Sequence, residues 1–118
     1  MSGDLLCFAA VNKGEYIELT VPGVTSAGVY SLIATVRKTR ETGTVQAAVN
    51  GVSIWPEVNL YGYNPLFENV DFGIFTLDSD VTDLVIRFTV NELSSFYGDR
   101  GYMIIHSLIL ARGMVLDV

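Results

Sequence analysis

The sequence predicts an all-β fold, a single-domain jelly-roll or Greek-key β-sandwich of about eight strands. β-Branched residues are abundant, with 15 Val, 8 Ile and 9 Thr among 118 residues, and such side chains fit a pleated, half-buried surface. Apolar residues recur at every second position in short runs, which Gly, Asn, Asp and Pro separate at the roughly 8–12-residue spacing of sandwiches and barrels. No window of a dozen residues carries a helical apolar stripe. With 41 of 118 residues Val, Ile, Leu or Phe, the chain can fill one core and is too short for a second. The expected domain is 1–118, with the sandwich over 3–112 and an apolar tail over 113–118.

The first expected strand is Leu5–Ala10. Glu15–Val21 follows, with Ile17, Leu19 and Val21 on one face and Tyr16, Glu18 and Thr20 on the other. In Gly28–Arg37, Tyr30, Leu32, Ala34 and Val36 share a face. Thr44–Val49 aligns Val45, Ala47 and Val49 and runs into Asn50-Gly51, a strong hairpin signal. Val52–Leu60 and Val70–Leu77 come next. Leu84, Ile86, Phe88 and Val90 then alternate with Val85, Arg87 and Thr89. Tyr102–Leu110 is apolar on both faces apart from His106 and Ser107, as a central strand would be.

Charge and composition exclude several function classes. Seven Lys and Arg against 13 Asp and Glu give a net charge of −6, which argues against a phosphate-binding surface and nucleic acid. One cysteine and one histidine exclude a disulfide framework and the usual zinc sites. The N-terminal apolar run Leu5–Val11 follows Asp4 rather than a basic cluster, and is a poor secretory signal and far too short to span a bilayer. Asn-x-Ser/Thr is absent. The chain is therefore expected to be made in a cytosol, or to be extracellular if it is an excised module.

The motifs of common catalysts are missing: no Gly-x-Ser-x-Gly, P-loop or His-Glu-x-x-His occurs. His106, mid-strand, reads as a core or interface histidine, and Cys7, between Leu6 and Phe8, as a small buried hydrophobe. Nucleophile, base and oxyanion donors cannot be assembled from this inventory, so no enzymatic activity is expected. Asp78-x-Asp80-x-x-Asp83 lacks the glycine and distal glutamate of a calcium loop and reads as a turn. No metal and no cofactor is expected. Arg37, Lys38 and Arg40, with Glu41 among them, read as a solvated hairpin tip, with steering of an acidic partner as the lesser reading.

Aromatic placement is the most informative feature. Trp55, Tyr61, Tyr63, Phe67 and Phe72 lie within 54–72, and Phe96, Tyr97 and Tyr102 within 96–102, together eight of the 13 aromatics. Both segments are loop-like and add Asn59, Asn64, Asp99 and Arg100. Tyr61, Phe72 and Tyr102 are suited to plugging the ends of the sandwich. Tyr63, Phe67, Phe96 and Tyr97 are harder to bury in so small a domain. The expected recognition surface is Trp55, Asn59, Tyr61, Tyr63, Phe67, Phe96, Tyr97, Asp99 and Arg100, since flat rings beside amide, carboxylate and guanidinium groups suit a sugar or a protein interface.

The order Lys13-Gly14-Glu15-Tyr16-Ile17-Glu18-Leu19, Val21-Pro22-Gly23, Ala27-Gly28-Val29-Tyr30-Ser31-Leu32, Gly43-Thr44-Val45-Gln46, Val49-Asn50-Gly51-Val52, Asn59-Leu60-Tyr61, Phe72-Gly73-Ile74-Phe75-Thr76-Leu77, Leu84-Val85-Ile86-Arg87-Phe88 and Gly101-Tyr102 resembles the galactose-binding-like β-sandwich modules attached as carbohydrate-binding domains to bacterial glycoside hydrolases. The resemblance covers roughly 3–112 and implies the fold far more than a ligand. Such modules often carry an acidic residue on the last strand, in some members part of a calcium site, where this chain has His106. Many have Asp-Leu-Tyr where this chain has Asn59-Leu60-Tyr61.

The C-terminal segment ends Met114-Val115-Leu116-Asp117-Val118, and such side chains are expected to be covered by their own domain or by a neighbour. Only two lysines, Lys13 and Lys38, and a mean hydropathy of +0.41 favour a neighbour. The first functional expectation is thus a non-catalytic assembly or adhesion subunit, such as a phage decoration, cement or attachment protein on a virion surface, forming a homo-oligomer or packing on a larger scaffold through Met114, Val115 and Leu116. The alternative is a carbohydrate-binding module. Neither needs nucleic acid or a membrane span.

Overall fold

A computed structural model of the chain describes residues 6–112. Nine strands occur among them: β1 Leu6–Ala10, β2 Tyr16–Thr25, β3 Gly28–Val36, β4 Thr44–Val49, β5 Val52–Ser53, β6 Val58–Asn59, β7 Glu68–Leu77, β8 Val81–Glu92 and β9 Gly101–Arg112. One sheet has the order β1-β9-β3-β7 and the other β2-β8-β4-β5, with β6 also paired to β4. All strand pairs are antiparallel. The chain alternates between the sheets, and its first strand pairs with its last. This is jelly-roll topology, and the all-β sandwich expected from the sequence is the fold observed.

The alternation read from the sequence selects the core. Leu32, Ala34 and Val36 of β3, Val45 and Ala47 of β4 and Leu84, Ile86, Phe88 and Val90 of β8 are each fully enclosed. Phe72 of β7 meets Phe88 of β8 edge to face across the layers, with ring centres 5.1 Å apart. The opposite faces of the same strands carry Ser31, Thr35, Gln46, Arg87 and Thr89, as a sheet wetted on one side requires.

Bulges explain the places where simple alternation fails. In β9, Thr35 pairs with Ser107 but Val36 with Ile105, so His106 is the extra residue. Met103 and Ile105 face inward before it, and Leu108 and Leu110 pack on the core after it. The strand looks apolar on both faces because its inward set changes phase, while His106 itself is exposed and sits against Phe67, ring centres 5.5 Å apart. The expectation of a core histidine is corrected accordingly. Cys7, expected to be buried, is exposed on the outer side of the edge strand β1, opposite Ile104.

β2 continues past its expected end at Val21 because Pro22 and Gly23 form a bulge on an edge strand, where a missing N–H disturbs no ladder. Asp80 and Asp83 each accept a backbone N–H, from Ala27 at 2.9 Å and Gly23 at 3.2 Å, so these carboxylates brace turns. The expected strand Val52–Leu60 is two short strands separated by Trp55-Pro56. Residues 113–118, including Met114, Val115 and Leu116, lie outside the described residues.

Phe88→Ala removes the ring that meets Phe72 across the layers and is expected to destabilise the fold by about 3–5 kcal/mol in urea unfolding. Ile74→Ser, on the outer face, should change stability by no more than about 0.5 kcal/mol. The reverse order would place the core on the wrong faces of the sheets.

Candidate functional site

Three loops meet at one end of the sandwich: 37–43 between β3 and β4, 60–67 between β6 and β7, and 93–100 between β8 and β9. Backbone hydrogen bonds stitch them together. Gly62 N and Asn64 N donate to Thr39 O and Lys38 O, Tyr102 N donates to Glu41 O, and Ser94 N donates to Arg100 O. Gly43 lets the first loop pass close by the end of β8, since a Cβ there would sit 2.1 Å from the Glu92 carbonyl oxygen.

The two buried polar side chains among the described residues, Thr42 and Ser94, are the pins of this junction. The Thr42 hydroxyl reaches the carbonyls of Thr39 and Leu60 and accepts from Thr39 N, joining the first and second loops. The Ser94 hydroxyl reaches the Arg40 carbonyl and accepts from Phe96 N at 3.2 Å and Tyr97 N at 3.3 Å. It therefore joins the third loop to the first and sets the backbone that carries the aromatic pair.

On this base, Tyr63, Phe96 and Tyr97 project into solvent, 82%, 55% and 46% exposed. Phe96 and Tyr97 meet edge to face at 4.9 Å. The Arg40 guanidinium lies 4.6 Å from the Tyr63 ring centre and 5.1 Å from that of Phe96. Arg100 lies 4.4 Å from the Tyr97 ring centre and is held by Asp99 at 2.9 Å and Glu41 at 3.3 Å. A groove of about 420 Å³ runs between the loops, bordered by Arg37, Arg40, Tyr63 and Tyr97.

The structure thus gathers Tyr61, Tyr63, Phe96, Tyr97, Asp99 and Arg100 of the expected surface at one end. Asn59 is there as well, but its side-chain oxygen is engaged by Tyr61 N at 2.9 Å. Phe67 lies apart, half-buried against His106. Trp55 also lies apart, lining a larger cleft of about 850 Å³ between the β4–β5 hairpin and β7. There its backbone carbonyl crosses Gly73 so closely that a Cβ on Gly73 would be 2.2 Å away.

Sequence reasoning missed Thr42, Ser94 and the stacking of Arg40. Arg40 is exposed, as expected of a solvated tip, but the Tyr63 and Phe96 rings beside it come from other loops and do not show in the local sequence. The signal available was two polar residues, Thr42 and Ser94, beside short glycine-bearing turns. Among the described residues no three His, Cys, Asp or Glu side chains gather to hold a metal ion.

Electrostatics at this end is dominated by ion pairs at the surface. Asp99 is held below the usual carboxylate range by its hydrogen bond from Arg100, and Arg100 is pushed upward by Asp99 and then Glu41. Glu68 is lowered by Asn64 and then by Lys38, whose Nζ is 3.1 Å away. These arrangements can bind and orient a ligand through guanidinium, amide and ring contacts.

No family model matches the chain, and no curated protein matches it. Solved structures match in fold. The xanthan lyase of Paenibacillus is similar over 95% of this chain and 12% of its own, at 14% identity and a TM-score of 0.75. The GH26-CBM35 β-(1,4)-mannanase of Podospora anserina is similar over 98% of this chain and 29% of its own, at 13% identity and a TM-score of 0.60. The C-terminal domain of EclA, a sugar-binding protein, is similar over 93% of this chain and 80% of its own, at 18% identity and a TM-score of 0.54. The chain thus spans small parts of the two enzymes and most of the third chain. At these identities the likeness is one of fold, and at that level it agrees with the galactose-binding-like sandwich that the sequence resembles.

Two outcomes test this junction. A carboxylate held low in the folded state favours folding above its free value and loses that contribution as pH falls through the lowered value. Asp99, followed by its carboxyl carbon in NMR, is therefore expected to titrate with a midpoint below about 3.9; a midpoint at or above it would mean that Arg100 does not hold it in solution. Ser94→Ala leaves two N–H groups and a carbonyl without their hydroxyl and should cost about 1–3 kcal/mol in urea unfolding, whereas no loss would show that the loops stand without it.

Proposed function

We propose that this protein is a non-catalytic carbohydrate-binding module and that the three-loop end is its binding surface. One observation carries the proposal: Tyr63, Phe96 and Tyr97 stay exposed at one end, the last two anchored through buried Ser94, with guanidinium groups beside the rings. Exposed rings with few rotatable bonds lose little entropy on binding, and donors already in position need little reorganisation. The fold it shares with a sugar-binding protein and with parts of two polysaccharide-active enzymes supports the same reading. Of the two functions expected from the sequence, these similarities favour the module over the virion subunit, whose apolar tail lies outside the described residues.

Self-association is a second reading. It is favoured by the outer face of the four-stranded sheet, where Ile74 and Ile109 are 63% and 40% exposed. Such residues can meet a second copy without involving the loop end.

Affinity electrophoresis against a panel of soluble plant and bacterial polysaccharides tests the main reading. Retardation by at least one polymer is expected, and Tyr97→Ala should weaken it about tenfold or more while leaving the thermal midpoint within a few degrees of the parent. Migration unaffected by every polymer would defeat the proposal.

A further inference from the structure

We infer that the loop-end groove recognises a carboxylate-bearing sugar, a uronic acid residue of an acidic polysaccharide, through Arg40 with Arg37 beside it; this rests on the carbohydrate-binding reading above. Four of the seven Lys and Arg residues, Arg37, Lys38, Arg40 and Arg100, lie at this one end of a protein whose net charge is −6. Lys38 is paired with Glu68, and Arg100 with Asp99 and Glu41. Among the described residues Arg37 and Arg40 make no ion pair. The Arg37 Nε is enclosed and has no hydrogen-bond partner. Two guanidiniums without an ion-pair partner thus line the groove, beside Glu41, whose carboxylate is engaged by Arg100.

The rings decide what kind of ligand suits them. Arg40 rests on Tyr63 and Phe96, and Arg100 on Tyr97. A sugar that approaches these exposed rings therefore meets a guanidinium charge beside each of them. The rings of Tyr63 and Phe96 lie beside the Arg40 guanidinium on the groove wall, and a guanidinium offers the paired N–H donors that a carboxylate fills with two parallel hydrogen bonds. A neutral sugar offers hydroxyls and leaves the charge of Arg40 unanswered, whereas a uronate supplies both charge and paired acceptors. The groove, about 420 Å³, lies within the roughly 300–1,000 Å³ of small-ligand sites.

The test is calorimetric titration of the full chain with oligogalacturonate, with the same oligomer after carboxyl reduction, with a neutral galactomannan and with poly-glutamate. Binding of oligogalacturonate is expected, with a roughly tenfold or greater loss on carboxyl reduction and a similar loss in Arg40→Gln. Affinity should also fall as salt is raised. Circular dichroism of Arg40→Gln is expected to match the parent, because Arg40 is exposed. Equal affinity for the carboxyl-reduced oligomer, galactomannan binding alone, or undiminished binding by Arg40→Gln would overturn this inference and leave the module reading standing. Poly-glutamate binding as tightly as the uronate would also overturn it, in favour of an acidic peptide. Silence toward all four probes and toward the wider polysaccharide panel would remove both.

Discussion

Each sheet buries one face against the other, and the rest of the molecule accommodates that constraint. Side chains on a strand alternate with a period of two, so every inward residue commits its neighbours to the outside. Phe72 against Phe88, with Leu32, Ile86 and Met103 packed around them, fixes the register of four strands at once. Where the chain must bend or turn a face, it adds a residue, at His106 in β9 and in the Phe72-Gly73 stretch of β7. The bulges keep the inward face continuous through a change of phase. They also place polar or small residues at the sheet surface, where water or another segment can meet them.

The loop end obeys a different logic. It is too irregular for strand ladders to satisfy its backbone, so buried hydroxyls do so. Thr42 and Ser94 together reach carbonyls and N–H groups in all three loops. Unmet backbone polar groups in such a junction would carry a desolvation cost, and meeting them with two compact side chains leaves the large ones free to point outward. The rings then stand beside the guanidinium heads of Arg40 and Arg100.

Much of this was legible in the sequence. Strands with clean alternation, such as Gly28–Val36 and Thr44–Val49, show their faces directly, because a half-buried sheet reads as a period of two. The clustering of aromatics in 54–72 and 96–102 located most of the candidate surface. What could not be read were relations between distant segments. Trp55 falls in the same sequence cluster as Tyr63 but on a different part of the molecule, because Trp55 crosses Gly73 of β7 and the chain then runs along β4 as β6 before it reaches the loop end. The core reading of His106 and the buried reading of Cys7 failed because burial was inferred from neighbours along the chain, while a bulge and an edge position decide it in space. Arg40 is exposed, as the sequence suggested, but the rings of two other loops that stand beside it are brought there only by the fold.

The run of β9 has one further consequence. It begins at Gly101 among the loops and ends at Arg112 beside Tyr30, and twelve residues at about 3.4 Å each carry it nearly the length of a molecule 44 Å long. Its far end is therefore remote from the groove. A label carried on Arg112 itself would sit at the opposite end of the sandwich from the exposed rings of Tyr63, Phe96 and Tyr97.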